Sequence, residues 1–594
     1  MKYALLSVSN KSNIETIASF LEAKKYNLIS SGGTAKYLLS NNINVEEVSS
    51  FTQSPELLEG RVKTLHPRVH GSILQKNLQN EYQDTLVDLD IVVCNLYPFE
   101  ECLKKDLLHD DMLENIDIGG ITLLRAAAKN YKRVVILTHP SQYKEFITRC
   151  EENIITEEYR RELATKAFLH TSLYDSAITQ YMSQDTYKIN HYVKHNRLKY
   201  GANPHQRDAC YLQKINSTED IYNYANSHFT VLNGNPGYIN YLDAYGCWNL
   251  VYDLGLSLKK VVATSFKHTS PAGVSTNTNE LTENEMKTYN LEPSKLDSLG
   301  IQSAAFLTYV RARNCDPKSS FGDFIGVNTI VDLSMALYLK GCVSDGIIAI
   351  DYTNEALEIL KAKKNGNYVV LRANPNRTNK LSIKDYGDFS LSQEENTYLL
   401  DKEKFDENTI IGMTTLKYTQ SNSTCFVYNG NVIGIGAGQQ NRVDCVCLAR
   451  QKAYVWFMRH NLEYLEKLSS LNEFNNISNL DIFEKLKLDN DLLETKSKTE
   501  KTNYIFDILQ RLYSLDLSMN NLSAFRELFP NFEKTLSLCS DGFFPFTDSI
   551  EEAEKINASH IVHPGGSISD EKVKEYCSAH NITYSETGIR YFYH

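Results

Sequence analysis

At 594 residues the chain is too long for one hydrophobic core, so several domains are expected. With 42% hydrophobic and 23% charged residues and no apolar stretch approaching a membrane span, composition excludes a disordered chain and a helical membrane protein. A net charge of -11 argues against a nucleic-acid partner, because a polyanion needs a basic surface.

Short apolar runs at 3–8, 27–29, 91–95 and 134–137 alternate with amphipathic stretches such as 13–23 and 121–129. The alternation predicts a parallel sheet, whose ligands bind outside the carboxyl ends of the strands. The opening run is too short for a signal peptide and lacks a cleavage site, so a cytosolic location is expected. Ser30-Ser31-Gly32-Gly33-Thr34 leads from a strand into a helical stretch, and reads either as a phosphate cradle or as a plain turn with Thr34 as N-cap. The loop from Gly60 to His70 carries Arg61, Lys63, His66, Arg68 and His70 around Pro67. Such a concentration of cation-capable side chains in an acidic protein favours an anionic ligand over a solvated loop. Cys94-Asn95-Leu96-Tyr97-Pro98 and Ile116-Asp117-Ile118-Gly119-Gly120 end apolar runs, and Lys129 closes the helix begun by the second.

Residues 157–184 read as one or two amphipathic helices and 185–197 as a polar linker, which puts a boundary near residue 190. Beyond it, the run Val261-Val262-Ala263 leads to Lys267-His268 just before Ser270-Pro271-Ala272-Gly273. A cation and an imidazole at a strand end can converge on one small volume, with the histidine as base. Ser320-Phe321-Gly322-Asp323-Phe324 followed by Gly346-Ile347-Ile348 faintly echoes Ser540-Asp541-Gly542-Phe543-Phe544 followed by Ser559-His560-Ile561-Val562, which suggests an internal duplication. Gly434-x-Gly436-x-Gly438 lacks the spacing and acidic partner of a dinucleotide fingerprint, and close backbone approach to a ligand explains these glycines better. The stretch 462–536 has helical periodicity and no motif, and reads as scaffold and interface surface. The 12 cysteines form no disulfide framework or zinc spacing and are expected to be reduced.

Taken together, Lys267-His268, Ser319-Ser320-Phe321-Gly322-Asp323, Ser344-Asp345-Gly346, Lys417-Tyr418-Thr419-Gln420-Ser421-Asn422, the 434–442 segment, Lys199-Tyr200-Gly201-Ala202-Asn203-Pro204-His205-Gln206 and Arg590-Tyr591-Phe592-Tyr593-His594 resemble the bifunctional purine-biosynthesis family that joins AICAR formyltransferase to IMP cyclohydrolase. The resemblance spans nearly the whole chain. It implies an α/β fold: a methylglyoxal-synthase-like parallel-sheet domain over 1–190, then a transferase region over 191–594 made of two cytidine-deaminase-like α/β subdomains, 198–370 and 371–594. Neither His-x-Glu nor Pro-Cys-x-x-Cys occurs in the latter region, so the zinc of true deaminases has no ligands there, and no residue is assigned as a metal ligand.

The resemblance also implies roles. In cyclisation Lys63, Tyr97, Asp117 and Lys129 would orient the carboxamide, move protons and stabilise the oxyanion, while Ser9, Lys11, Ser31, Gly33, Thr34 and Arg61 would hold the nucleotide. In formyl transfer from the co-substrate 10-formyltetrahydrofolate to AICAR, His268 would take a proton from the attacking amine. Lys267 would stabilise the oxyanion or protonate the leaving nitrogen, and Asn422 would hold the formyl oxygen. Lys199, Tyr200, Asp345, Arg442, Asp541, Phe544, Phe592 and His594 would line the substrate pocket, with Arg590 on the phosphate. Lys199 departs from the usual arginine, keeping charge but not the bidentate fork. The expected state is a homodimer with transferase sites built from both chains, no bound cofactor, and no membrane or nucleic-acid partner. The alternative is a nucleotide-binding regulator without turnover. Lys63, Lys129, Lys267, His268 and Asn422 argue against it, since binding alone does not need so many proton-transfer groups.

Overall fold

A computed structural model describes the chain except residues 56, 61, 77–81, 83–84, 106, 223–227, 290, 292–301, 376–380 and 461–534. Most of the stretch expected to be helical scaffold, 462–536, and the candidate Arg61 therefore lie outside the described residues. The chain forms two compact units, Met1–His195 with Tyr211–Ser227, and Asn196–Cys210 with His228–His594.

The first unit is built on a sheet with strand order β3-β2-β1-β4-β5. Its strands are β1 (Lys2–Ser7), β2 (Asn27–Ser30), β3 (Glu46–Glu47), β4 (Asp88–Cys94) and β5 (Val135–Leu137). All pairings are parallel. Ala4, Leu5 and Leu6 of β1 and Val92 and Val93 of β4 are fully buried, the unbroken apolar run of strands covered on both faces. The chain runs outward from β1 through β2 to β3, then restarts at β4 on the other side of β1. That reversal opens a crevice between the carboxyl ends of β1 and β4. Asn95 spans it, accepting at Oδ1 from the amides of Ser9 (2.7 Å) and Asn10 (2.9 Å). The excursion Tyr211–Ser227 is fastened by Tyr222, whose ring stacks on His139 with centroids 4.4 Å apart and whose hydroxyl lies 2.6 Å from Thr138 Oγ1.

In chain order the remaining strands are β6 (His191–Arg197), β7 (Cys210–Ile215), β8 (Phe229–Asn233), β9 (Ala263–Lys267), β10 (Ser270–Ser275), β11 (Asp323–Val331), β12 (Ser344–Tyr352), β13 (Val369–Ala373), β14 (Leu381–Asp385), β15 (Ser390–Glu394), β16 (Ser423–Tyr428), β17 (Asn431–Ala437), β18 (Ser537–Ser540), β19 (His560–His563) and β20 (Thr583–Glu586). The second unit holds an 11-stranded sheet, order β20-β19-β18-β16-β17-β10-β9-β11-β12-β13-β8. One topology occurs twice in it. A helix (Tyr238–Leu258 or Glu407–Lys417) leads into an antiparallel hairpin (β9–β10 or β16–β17). A second helix (Ala304–Cys315 or Arg442–Arg459) follows, then three mutually parallel strands (β11, β12, β13 or β18, β19, β20). The repeats join edge to edge where β10 runs antiparallel to β17. On one face, helices Tyr238–Leu258 and Glu407–Lys417 are tied by a buried ion pair, Lys417 Nζ to Asp253 Oδ2 at 2.8 Å.

The duplication is thus one of topology, and the sequence echo maps onto it imperfectly. Gly346-Ile347-Ile348 and Ile561-Val562 lie on the equivalent strands β12 and β19, but Ser320–Phe324 enters β11 whereas Ser540–Phe544 leaves β18. Small polar residues cluster at both ends of buried strands, and local composition does not distinguish the ends.

Candidate active sites

In the first unit the helix Gly32–Ser40 begins directly after β2, at the carboxyl end of the sheet, where the first amides of a helix have no partner within it. Two ammonium groups meet it there. A Cβ added to Gly32 would lie 2.5 Å from Lys63 Nζ, one on Gly60 2.9 Å from the same atom, and one on Gly33 3.9 Å from Lys11 Nζ. Gly32 also has a φ of +42, a left-handed backbone that glycine adopts without strain. Positive charge and a helix N-terminus together form a cradle for an anion. Lys11 Nζ reaches back to the Ser9 carbonyl at 3.4 Å, and Ser31 Oγ lies 2.8 Å from Ser7 Oγ. Thr34 is turned to the fold instead. Its Oγ1 donates to the Val8 carbonyl (2.9 Å) and accepts the Val8 amide (3.0 Å), fixing the end of β1 against the helix.

The basic loop divides in the same way. Arg68 donates to the Phe51 carbonyl at 2.6 Å and its guanidinium lies 4.5 Å from the Phe51 ring centroid, while His66 caps the helix Pro67–Leu74 by accepting the Arg68 amide. Beside Lys63, Thr64 packs on the start of the helix Gly119–Lys129, where a Cβ on Gly119 would lie 2.5 Å from its Oγ1. At that helix start Asp117 accepts the Gly120 amide at Oδ1 (2.6 Å). Burial pushes the Asp117 carboxyl up from its ordinary range, against the lowering effect of N–H donation from Gly120 and Tyr97. Tyr97 is half exposed, and burial and then the charge of Asp117 push its phenol up as well, so it keeps its proton at neutral pH. The Asp117 loop is held by Tyr174, whose hydroxyl accepts the Asp117 amide (2.8 Å) and donates to the Asn115 carbonyl (2.9 Å). Neither Tyr174 nor Asn115 carries a motif, so their role is invisible in the sequence. Lys129 is not brought to this group. It sits exposed at the far end of the helix that Gly119 opens, about 15 Å away at 1.5 Å per residue.

In the second unit Lys267 and His268 occupy the end of β9 and the turn into β10. The turn residues His268 and Thr269 both have positive φ, 55 and 60. This is a type I′ turn, which matches the twist of a hairpin but is normally made with Asn and Gly. Lys267 Nζ donates to the Phe321 carbonyl at 2.6 Å. Both side chains line a cavity of about 520 Å³ with Ser270, Asp316, Ser319, Thr419, Lys452 and Arg459 among its other walls. Its lining draws on both topological repeats, through β10 on one side and β17 with the helix Arg442–Arg459 on the other.

A second group forms around the chain end. Arg442 pairs with buried Asp541 and donates to the Ser423 carbonyl (3.0 Å), and Asp541 accepts from Ser423 Oγ (3.0 Å). The Tyr591 amide donates to the Asp541 carbonyl, Arg590 lies over the Phe592 ring at 4.6 Å, and the rings of Phe592 and His594 are 5.5 Å apart. Asn422, at a left-handed φ of 39, donates to the Gln439 carbonyl at 2.9 Å. None of these residues lines the Lys267–His268 cavity, nor do Asp345, paired with Lys364 at 2.8 Å, or Lys199, 5.9 Å from the Tyr200 ring centroid. Phe544, expected at the pocket wall, is fully buried in the core against His563. Its apolar ring gains more from the core than from a wet pocket.

The glycines 434 and 436 serve packing rather than a ligand. A Cβ on Gly434 would fall on the Ala449 carbonyl oxygen and one on Gly436 on the Cys445 carbonyl oxygen, so β17 and the helix Arg442–Arg459 touch backbone to backbone. Gly436→Ala is expected to destabilise the protein by about 3 kcal/mol, since a helix backbone cannot give way as a side chain can. Urea unfolding of the two proteins measures it. Among the described residues no group of three or more His, Cys, Asp or Glu could hold a metal ion.

The fold and its sites define a two-part α/β protein with an anion cradle in one part and a Lys–His hairpin over a cavity in the other. The MGS-like domain model matches residues 13–122 and the AICARFT/IMPCHase bienzyme model residues 127–452, more than half of the chain. The chain is 32% identical over 615 residues to the bifunctional purine biosynthesis protein PurH of Aquifex aeolicus, and 31% identical over 613 residues to that of Clostridium perfringens, covering 100% of both chains in each case. It belongs to the AICARFT/IMPCHase bienzyme family.

Proposed function

We infer that the chain is a bifunctional enzyme of purine nucleotide synthesis, transferring a formyl group from 10-formyltetrahydrofolate to AICAR and closing the product, formyl-AICAR, to IMP. What carries this reading is full-length similarity to PurH proteins together with a chemically equipped site in each unit.

In the transfer, the 5-amine of AICAR attacks the formyl carbon, and His268 takes the proton that the amine loses. Lys267, whose ammonium is fixed by the Phe321 carbonyl, stabilises the tetrahedral oxyanion. Collapse breaks the bond to the folate nitrogen, which receives a proton and leaves as tetrahydrofolate. In the cyclisation, the carboxamide nitrogen attacks the new formyl carbon and water is lost. Positioning and charge stabilisation suffice for this step, and Lys63, Tyr97 and Asp117 supply them while Lys11 and the amides of the helix Gly32–Ser40 hold the phosphate. No resident cofactor is needed in either step.

The cyclohydrolase is assigned to 1–190 and the transferase to 191–594, with subdomains 198–370 and 371–594. A homodimer is part of the proposal. It is supported by Lys199, Asn422, Arg442, Asp541 and Arg590 standing outside the lining of the Lys267–His268 cavity, as expected where a second copy supplies part of each site. A cytosolic location is supported by the absence of any disulfide among the 12 cysteines.

The test is one assay of the purified protein with AICAR and 10-formyltetrahydrofolate, following tetrahydrofolate release by absorbance and IMP by chromatography. IMP formation establishes both activities. Tetrahydrofolate release with accumulating formyl-AICAR refutes the cyclohydrolase, and absence of both products refutes the reading altogether.

A further inference from the structure

The β9–β10 turn poses a physical problem. His268 and Thr269 both sit in left-handed backbone, where a β-branched residue such as Thr is disfavoured, and nothing in the local sequence explains why the chain keeps this turn. The answer comes from outside the hairpin. Asp243, on the helix Tyr238–Leu258, is 6% exposed and accepts the Thr269 amide at Oδ1 over 2.7 Å. That helix is in turn fixed to β9 at close range. A Cβ on Gly246 would lie 2.6 Å from Cζ of the fully buried Phe266, one residue before Lys267. The carboxylate is therefore delivered to the turn by a rigid helix whose spacing from the strand is set within the same turn of helix.

We propose that Asp243 is a positioning residue for formyl transfer, holding the strained His268–Thr269 turn through the Thr269 amide and so aiming the His268 imidazole into the cavity beside Lys267. Burial pushes the Asp243 carboxyl up from its ordinary range, offset first by donation from the Thr269 amide and then by the nearby His268 and Lys267, while Asp345 acts the other way. Solvation alone would not keep a carboxylate in such a place. Its energetic return is the bond to the turn.

This inference rests on the transferase reading of the Lys267–His268 cavity. It also makes a specific demand on chemistry: what matters at residue 243 is an acceptor for one amide, and what matters at 269 is tolerance of positive φ. Asp243→Ala should lower kcat for formyl transfer by about 10²-fold, because a small misplacement of a catalytic group costs that much. KM for AICAR should change little, and cyclisation of supplied formyl-AICAR should match the unaltered protein. Asp243→Asn keeps an acceptor oxygen and should retain most of the activity. Adding Thr269→Gly to Asp243→Ala should recover a substantial part of the loss, since glycine adopts the left-handed backbone without help. A residue needed only for global stability would lower both activities together and would not be rescued by a glycine in the turn.

The four proteins are compared in the same assay of tetrahydrofolate release and IMP. Wild-type kcat in Asp243→Ala, or no recovery in the double variant, overturns the role of Asp243. Absence of formyl transfer in the unaltered protein is a different result, and removes the transferase reading itself.

Discussion

Lys63→Ala is expected to lower cyclisation of formyl-AICAR by about 10²–10³-fold, the usual cost of removing one group that stabilises developing negative charge. The ammonium is packed against the Gly32 and Gly60 backbones at the start of the helix Gly32–Ser40, where it adds to the positive potential of the helix N-terminus. Lys11 remains beside Gly33 and keeps part of the positive potential, which is why nucleotide binding should weaken less than turnover. Formyl transfer should persist, because the residues proposed for it lie in the other unit. With AICAR and 10-formyltetrahydrofolate supplied, the variant should release tetrahydrofolate at an undiminished rate and accumulate formyl-AICAR in place of IMP. Equal loss of both activities would sink the assignment of one reaction to each unit.

His268→Asn is the counterpart. Asparagine tolerates the left-handed φ of 55 that position 268 requires, so the turn should survive. It cannot take a proton, however, and general base catalysis contributes about 10²–10⁴-fold. Formyl transfer should fall by that factor, AICAR binding should persist, and formyl-AICAR added directly should still be closed to IMP. His268→Ala should lose the same activity with some added loss from strain in the turn. Retention of transfer in both variants would remove His268 from the reaction. It would leave the Lys267 ammonium, fixed by the Phe321 carbonyl, as the remaining candidate at the cavity.

The structure separates what these side chains do from what their neighbours in sequence do. Within the basic loop, Lys63 faces the helix start while Arg68 is spent on the Phe51 carbonyl and ring, and His66 on a helix cap. Composition treats all three as one cationic cluster. Likewise Ser31 and Thr34 are small polar residues three positions apart at one helix start, yet Thr34 clamps the end of β1 and Ser31 shares a hydrogen bond with Ser7. Chain position cannot tell these roles apart, because each depends on a partner remote in sequence.

By itself the sequence determined the parallel α/β character of the first unit, whose strands β1, β2, β4 and β5 are apolar runs bounded by turns. It did not reveal β3, because Glu46–Glu47 joins the sheet only through its backbone register with Ile29 and Ser30. It also singled out Lys267-His268, Ser31 to Thr34 and Lys63 as candidates for chemistry, since charge and small residues at strand ends leave a local signature. The tertiary structure alone decided how the two repeats of the second unit meet, through β10 and β17, and why Gly434 and Gly436 are glycines. It alone brought Asp243 to the Thr269 amide and left Lys129 at the far end of its helix. The division has one physical cause. Local backbone preference and hydrophobic period are written in neighbouring residues, whereas strand pairing, helix contact and the aim of a side chain depend on segments that come together only in the folded chain.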